Sequence, residues 1–176
     1  MKELDVKAVT RRYRRVLVPL DGSPLGESII PFIRDIAGPL DMDIVLLRVV
    51  SPVVTQMNDA TAQIIIDDMA ARTTEAREYL ATIAPDLMGH GIHVQTRVRS
   101  GDPVTEILAA AREVSADLIA MSTHGRSGFT RLLFGSVAEA VLRQGEYPVF
   151  LMRVTAGAHT EAGGEVPKVL ASGALT

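Results

Sequence analysis

The chain has 176 residues, 47% of them hydrophobic and 22% charged, which is the composition of an ordinary globular domain. We expect neither a membrane span nor a secretory signal, because no apolar run is long enough for a span and residues 1–15 lack the apolar region of a signal. The absence of cysteine excludes disulfides, thiolate catalysis and cysteine-based zinc sites and fits a cytoplasmic protein, while the net charge of −3 provides no general attraction to nucleic acid.

Three parts are expected along the chain. Residues 1–14 form a polar arm, 15–154 form one α/β domain, and 155–176 form a flexible tail with little large apolar content. The cluster of arginines at the end of the arm indicates either a contact with an anionic partner or a solvent-exposed segment that precedes the first strand. Lysine occurs only near the two ends, at Lys2, Lys7 and Lys168, so the domain has none for a phosphate-binding P-loop.

The domain begins with a strand and a helix. The β-branched apolar run at 15–20 predicts a buried strand. Ser23 as N-cap, followed by Pro24 in the first helical position, predicts the start of a helix. Apolar residues at helical spacing continue that helix, and Gly38-Pro39 is expected to end or break it: Ile29, Ile33, Ile36 and Leu40.

A second strand and a long helix follow. The aliphatic run at 43–50 predicts another buried strand, and the polar, proline-containing stretch at 51–61 predicts a long loop. Apolar residues at helical spacing between Ile65 and Leu87 then predict a helix of about six turns, interrupted late by Pro85.

Two histidines, His90 and His93, come directly after this helix. Their spacing of three positions could serve a metal site, but Gly91 breaks any helix that would align them. No cysteine or third ligand accompanies the pair. We therefore expect no metal site here.

The second half of the domain continues the alternation of strands and helices. Residues 92–98 alternate between apolar and polar, which predicts a half-exposed strand at an edge of the sheet. Asp102 as N-cap and Pro103 in the first position predict the next helix start. The remaining elements are predicted as a strand, a helix and a strand, at 117–121, 137–143 and 148–154.

This order predicts a doubly wound, five-stranded parallel sheet with helices on both faces, a single-domain Rossmann-like α/β fold. Ligands of such sheets bind outside the carboxyl ends of the strands, where the strand order reverses. The segments that follow the first, second and fourth strands would meet there, at 19–21, 49–51 and 122–128.

The loop from 121 to 136 is rich in glycine and precedes a helix N-terminus. Glycine lets the backbone approach a ligand closely, and the first N–H groups of a helix attract phosphate. The alternative is a plain crossover loop whose helix starts with a capping box formed by Ser136 and Glu139.

Three signatures in the domain resemble the universal stress protein family. They are the strand that ends in Asp21, the segment Leu-Leu-Arg-Val-Val at 46–50, and the stretch from Ser122 to Gly125 that is followed after nine residues by Gly135-Ser136. ATP-binding members carry Gly-x-x-Gly, nine residues, Gly, then Ser or Thr, and this chain has Ser122 in place of the first glycine. The resemblance extends from about Arg14 to Val154.

The resemblance implies an ATP site, with or without magnesium, and no catalytic residue. Asp21 would lie beside the ribose and phosphates, Pro19 would line the floor, and the backbone of Val49 would face the adenine edge. The loop and the following helix would supply the other contacts: Met121, Ser122, His124, Gly125, Arg126, Ser127, Gly128, Gly135, Ser136 and Val137.

Each of these residues also has a plainer interpretation. Asp21 could cap the first helix, Val49 could be a core residue, and Arg126 and Arg131 could be surface charges. His124 is interpreted as a turn residue, because no serine or cysteine nucleophile with an aspartate partner accompanies it.

The leading hypothesis is a cytoplasmic, adenine-nucleotide-binding regulator of the stress response, which is not an enzyme beyond slow incidental ATP hydrolysis. An alternative is a member that has lost nucleotide binding and acts as a dimeric interaction module. A nucleotide-cleaving or adenylyl-transferring enzyme would need a Walker lysine or a pyrophosphate loop, and neither is present. The resemblance also implies a homodimer through the final strand, from Val149 to Arg153, whose apolar edge invites pairing.

Overall fold

The computed structural model of the protein describes residues 13–52, 59–125 and 135–155. The strands are β1 (Arg15–Leu20), β2 (Asp43–Val50), β3 (Val94–Ser100), β4 (Leu118–Gly125) and β5 (Val149–Thr155). The helices are α1 (Pro24–Glu27), α2 (Ile29–Leu40), α3 (Asp59–Gly89), α4 (Pro103–Glu113) and α5 (Ser136–Gln144). Among the described helices, none is long and apolar enough to cross a membrane.

The five strands form one parallel sheet in the order β3-β2-β1-β4-β5. The chain builds outward from β1 through β2 to β3, and then crosses to β4 on the other side of β1. The predicted doubly wound fold is therefore confirmed, and so are the edge positions predicted for β3 and β5. The strand order reverses between β1 and β4, where sheets of this kind hold their ligands.

Each face of the sheet carries its own apolar layer. Helices α2 and α3 pack on one face, and α4 and α5 pack on the other. In β1, Val16 and Val18 belong to the first layer and Leu17 to the second, and all three are fully buried. A central strand that is covered on both faces explains why the run at 15–20 is apolar almost throughout.

The single helix predicted after β1 is two helices. α1 ends at Glu27, and both the amide and the hydroxyl of Ser28 donate to the carbonyl of Leu25. Pro31 explains the break, because in a continuous helix its ring would clash with the carbonyl of Glu27. The prediction followed the apolar spacing alone and took no account of this proline.

Helix α3 begins earlier than predicted and has no interruption. It begins inside the stretch 51–61 that was predicted as a loop, and it continues through Pro85 to Gly89 without the predicted interruption. Ala84 and Leu87 are buried in the layer beneath the helix, while Pro85 is exposed. The packing of the buried face thus maintains the helix across a residue that cannot donate a backbone hydrogen bond.

Strand β4 extends past its predicted end at Met121. The segment from Ser122 to Gly125 pairs in parallel register with the segment from Met152 to Thr155 in β5. The prediction stopped where the apolar run stops, but the hydrogen bonds that continue the strand come from its neighbour. The first residues of the predicted glycine-rich loop are therefore a strand end.

Candidate functional site

A cavity of about 370 Å³ opens at the carboxyl ends of β1, β2 and β4. Its volume lies in the range of small-molecule sites. It coincides with the reversal of strand order, and residues of α1, α4 and α5 complete its walls. This is the position at which the sequence predicted a ligand crevice.

One wall of the cavity is apolar. Leu47 and Val49 of β2 and Met121 of β4 line it from the sheet, while Ile107 of α4 and Ala138 of α5 line it from the helices. All five side chains belong to the apolar layer between the sheet and α4 and α5, or pack against it. Because none of them carries a hydrogen-bond donor, this wall suits a flat, weakly polar part of a ligand.

Asp21 follows β1, and its carboxylate is held by the start of α1. Its Oδ1 accepts the amide of Ser23 at 2.9 Å and the hydroxyl of Ser23 at 2.6 Å. Ser23 is the predicted N-cap and accepts the amide of Gly26. A Cβ at Gly26 would overlap Oδ1 of Asp21, so only glycine leaves room for this arrangement.

The charge of Asp21 follows from the same contacts. Burial raises the pKa of this carboxyl, but the hydrogen bonds from Ser23 and the positive charge of Arg48 lower it, and the net pKa is below the ordinary value. The group is therefore a carboxylate at neutral pH, and it lines the cavity as a fixed negative charge.

Arg48, from the second signature, braces the turn between β1 and α1. Its Nη1 donates to the carbonyl of Leu20 at 3.3 Å, and its guanidinium lies beneath Gly22, which has a φ of +78°. Its Cζ lies 5.9 Å from the ring centroid of Tyr79 in α3. Arg48 thus supports the loop that carries Asp21 from the face opposite the apolar wall.

Ser122 occupies the position at which the resemblance expects glycine. Its hydroxyl donates to the carbonyl of Leu25 at 2.7 Å, with the carbonyl of Gly26 at 3.4 Å. Along β4 it alternates with Met121, so its side chain lies on the opposite face of the sheet from the apolar wall. The serine hydroxyl therefore joins β4 to α1.

The first turn of α5 closes one end of the cavity. Gly135 is the N-cap and makes no side-chain capping hydrogen bond. The predicted capping box is absent, and the carboxylate of Glu139 accepts Nη2 of Arg143 at 2.7 Å instead. With Gly135 at the N-cap, Ser136 is one position too late to cap and Glu139 is one position too late to close the box. Within the described residues, no side chain caps the first amides of α5, and an uncapped helix N-terminus attracts anions.

Most of the predicted site residues line this one cavity, although they come from both halves of the chain: Pro19, Asp21, Val49, Met121, Ser122, Gly135, Ser136 and Val137. His124 and Gly125 are the last residues of β4, where the backbone is described. Arg126, Ser127 and Gly128 lie outside the described residues, as does Arg131.

Several cavity residues were missing from the predicted site. Leu25 of α1 and Ile107 of α4 line the cavity and were not assigned to the site. Thr123 also lines the cavity and is only 5% exposed. Thr123 could have been found from the sequence, since it shares a strand face with Met121 once β4 is extended.

The two histidines lie at the other end of the sheet and have protein partners. Nδ1 of His90 lies 2.7 Å from the carbonyl of Asp86, and Nδ1 of His93 lies 3.2 Å from the carboxylate of Asp43. Within the described parts of the chain, no group of three or more potential ligand residues could hold a metal ion.

A profile of the Universal stress protein family matches residues 12–153 of the chain. A universal stress protein of Methanocaldococcus jannaschii is 29% identical over 143 residues, which are 80% of this chain and 82% of that protein. Universal stress protein UspA from Lactobacillus plantarum has a TM-score of 0.70 at 21% identity, covering 81% of this chain and 99% of that one. The universal stress protein from Archaeoglobus fulgidus, solved in complex with dAMP, has a TM-score of 0.55 at 21% identity, covering 79% and 97%. Because the family profile spans almost the whole α/β domain, the chain belongs to the universal stress protein family.

Proposed function

We propose that this universal stress protein binds an adenine nucleotide, ATP in the first instance, in the cavity at the carboxyl ends of β1, β2 and β4. The proposal depends on one observation: an apolar wall, a fixed carboxylate and an uncapped helix N-terminus border the same cavity of about 370 Å³. A purine ring suits the wall, and phosphate suits the helix amides. The Archaeoglobus fulgidus protein was solved in complex with dAMP, which supports the proposal that this fold can bind an adenine nucleotide.

In this proposal the ligand spans the cavity from the sheet to α5. The adenine ring lies against Val49 and Met121, and the backbone of Val49 meets its polar edge. Pro19 and Asp21 lie next to the ribose. The amides of Gly135, Ser136 and Val137, together with the Ser136 hydroxyl, receive the terminal phosphates.

The loop after β4 has the remaining roles. His124, Gly125, Arg126, Ser127 and Gly128 would surround the ribose and phosphates. The chain has no lysine between Lys7 and Lys168, so Arg126 and Arg131 are the cations proposed to offset the phosphate charge. Magnesium would accompany the ATP phosphates.

We infer a binding role in stress regulation, not catalysis. Asp21 has a lowered pKa, which makes it a weak general base. No lysine is available in the domain to stabilise a transferring phosphoryl group. Any hydrolysis of bound ATP should therefore be slow, and the ligand would act as a signal in a cytoplasmic protein.

A second candidate function is a dimeric interaction module without nucleotide. It is favoured by Ser122, which replaces the first glycine of the ATP-binding pattern. In both candidates we propose a homodimer through β5. The edge position of β5 supports this, as does the stacking of Phe32 on Phe150 at 4.7 Å between ring centroids, which brings apolar surface to that edge.

The test is titration calorimetry with ATP and magnesium on the wild type and on Gly135→Val. A Cβ at position 135 meets no atom of the described residues within 4 Å, so the variant should fold normally. Its branched side chain would occupy the space of the phosphate and should abolish binding. Gly89→Val is the matched control, because it makes the same change in equally open space at the far end of α3.

Two results would refute the proposal in different ways. A wild type that binds no adenine nucleotide at millimolar concentration would leave the interaction module as the function. Equal binding by Gly135→Val and the wild type would show that the phosphates are not held by α5.

A further inference from the structure

The ladder between the two central strands stops before it reaches the cavity. Strand β1 pairs with β2 along its whole length. Within the described strands it pairs with β4 at two positions near its start, Val16 with Leu118 and Leu17 with Ile119. A different contact therefore has to join the β1 side of the cavity to the β4 side.

Pro19 explains why this ladder stops. On the β2 side of β1, the carbonyl of Arg14 accepts the amide of Asp43. On the β4 side, the carbonyl of Arg15 accepts the amide of Asp117. Backbone groups alternate between the two sides along a strand, so residue 19 also directs its backbone toward β4. Because proline has no N–H to donate, the ladder with β4 loses its next hydrogen bond at this position.

Helix α1 and the Ser122 hydroxyl bridge this opening. α1 packs against β4, and Oγ of Ser122 donates to the carbonyl of Leu25 at 2.7 Å. The same peptide group donates at its other end, since the amide of Gly26 donates to the hydroxyl of Ser23 at 2.9 Å. Ser23 in turn donates to Oδ1 of Asp21 at 2.6 Å. A continuous series of hydrogen bonds thus runs from β4 to the carboxylate that lines the cavity.

The bond from Ser122 differs from the other bonds of α1 in its range. The helix has four residues, and a single turn has little stability of its own. Its other side-chain bonds come from Ser23 and Ser28, which are neighbours in sequence, whereas Ser122 is separated from Leu25 by 97 positions. A glycine at position 122, as in the ATP-binding pattern, would remove this long-range donor.

We propose that Ser122 is a positioning residue of the nucleotide site: by joining β4 to α1 it holds the carboxylate of Asp21 in the orientation that the ligand meets, and so strengthens nucleotide binding. This inference rests on the proposed function and deepens it. It reverses the expectation from the ATP-binding pattern, in which a serine in place of the first glycine disfavours the ligand. The hydroxyl acts through α1, on the opposite face of the sheet from the apolar wall, and not by touching the nucleotide.

The experiment compares the wild type with Ser122→Ala, Ser122→Gly and Ser28→Ala in two measurements. Calorimetry gives the affinity for ATP with magnesium. A carbon NMR titration of the ligand-free protein gives the pKa of the Asp21 carboxyl, whose signal is assigned with Asp21→Asn. Ser28→Ala is the matched control, because the Ser28 hydroxyl donates to the same Leu25 carbonyl at 2.6 Å but makes no connection to β4.

Both changes at position 122 should weaken ATP binding about 3- to 10-fold, since they remove a hydrogen bond that holds the carboxylate in place. The two variants should lose affinity about equally, because both lack the hydroxyl and they differ only in the Cβ. Ser28→Ala should bind ATP as the wild type does. A serine with a merely structural role would lower the Tm when replaced and leave the affinity of the folded protein unchanged.

The titration reports on Asp21 without any ligand. Burial raises the pKa of this carboxyl, while the hydrogen bonds from Ser23 and the charge of Arg48 lower it below the ordinary value of 3.8. Removal of the Ser122 hydroxyl should loosen α1 and weaken the bonds from Ser23, so the pKa of Asp21 should rise in both variants. Arg48 of β2 and Tyr79 of α3, which interact with this charge, are kept throughout.

Three results would overturn the inference. They are equal or tighter ATP binding by Ser122→Gly, an Asp21 pKa that Ser122→Ala leaves unchanged, and equal losses in Ser28→Ala and Ser122→Ala, which would show that the contact with β4 has no special role. If the wild type binds no ATP, the proposed function fails, whereas the titration still decides whether Ser122 orients Asp21. Wild-type binding with insensitive Ser122 variants refutes only the role of Ser122.

Discussion

The carboxylate of Asp21 is positioned by the protein before any ligand binds. Two hydrogen bonds from Ser23 hold one oxygen, and glycine at position 26 leaves space for it. A side chain that is already oriented loses little further conformational freedom on binding. The local capping role and the ligand role that the sequence left open for Asp21 are therefore compatible.

Replacing Asp21 with alanine should have an effect on stability that depends on pH. The folded-state pKa is lowered from the model-peptide value of 3.8, so the carboxylate stabilises the fold above that pH and loses this effect as the pH falls through the lowered value. Asp21→Ala should be less stable than the wild type at neutral pH by about 1 kcal/mol, and the gap should close in acid. Thermal unfolding of both proteins, from neutral pH to well below 3.8, measures this gap.

The control for this prediction is Asp35→Ala. Asp35 lies on the exposed face of α2 and makes a surface ion pair with Arg34, an interaction that contributes little. A gap between the wild type and Asp21→Ala that stays constant with pH would show that the charge of Asp21 does not stabilise the fold.

At the level of single residues, the sequence predicted where site residues lie better than it predicted their hydrogen-bond partners. Asp21 and Gly135 could be placed because each stands at a strand end or a helix start with a local signal. The partner of Ser122 could not be predicted, because Leu25 is distant in sequence and becomes adjacent only when α1 packs against β4. Thr123 was missed because the prediction ended β4 at Met121, whereas pairing with β5 continues the strand to Gly125.

At the level of elements, Pro85 tests whether the low helix propensity of proline or the packing of α3 on the sheet determines the local structure. It lies inside α3 on the exposed side, where it removes a backbone hydrogen bond. Alanine at this position should restore that bond and lose little burial. We expect Pro85→Ala to be more stable by about 2 kcal/mol, because the helix gain of about 3 kcal/mol exceeds the entropy that proline removes from the unfolded chain. Thermal unfolding should show a rise in Tm of roughly 4–8 °C.

Pro24→Ala is the matched control for this prediction. Pro24 occupies the first position of α1, where its missing N–H has no role and its fixed φ suits the helix. Its replacement should not raise the Tm. If Pro85→Ala were no more stable than the wild type, α3 would already be adapted to the proline, and the helix would gain nothing from the restored donor.

The elements that could be predicted well are those with local start signals. Ser23-Pro24 and Asp102-Pro103 start α1 and α4 as predicted, since a cap and a fixed φ act within one turn. Strand β4 was predicted too short, because β5 supplies the hydrogen bonds that continue it past Met121. Such contacts join segments that are far apart in sequence, so no local sequence pattern predicts them.

At the level of the whole molecule, the two edges of the sheet differ in chemistry. The edge strand β3 exposes polar and charged residues, including Thr96 and Arg97, and Arg99 makes 2.5 Å ion pairs with Glu106 and Glu113. Charged edge strands resist pairing with other chains. The edge strand β5 carries the apolar series Val149, Phe150, Leu151 and Met152, all partly buried. The asymmetry favours β5 as the edge that meets a second copy.

The proposed dimer pairs β5 with its symmetry mate, antiparallel from Val149 to Arg153, so Leu151 lies at the two-fold axis. Leu151→Lys would place two ammonium groups close together there, while the long aliphatic stem preserves much of the packing within one chain. We expect the wild type to sediment at twice the 18.9 kDa mass of the chain and Leu151→Lys to sediment as a folded monomer. Thr96→Lys, which places the same charge on the β3 edge, should remain a dimer. A monomeric wild type at micromolar concentration, or a Leu151→Lys variant that stays dimeric, would show that β5 is not the dimer interface.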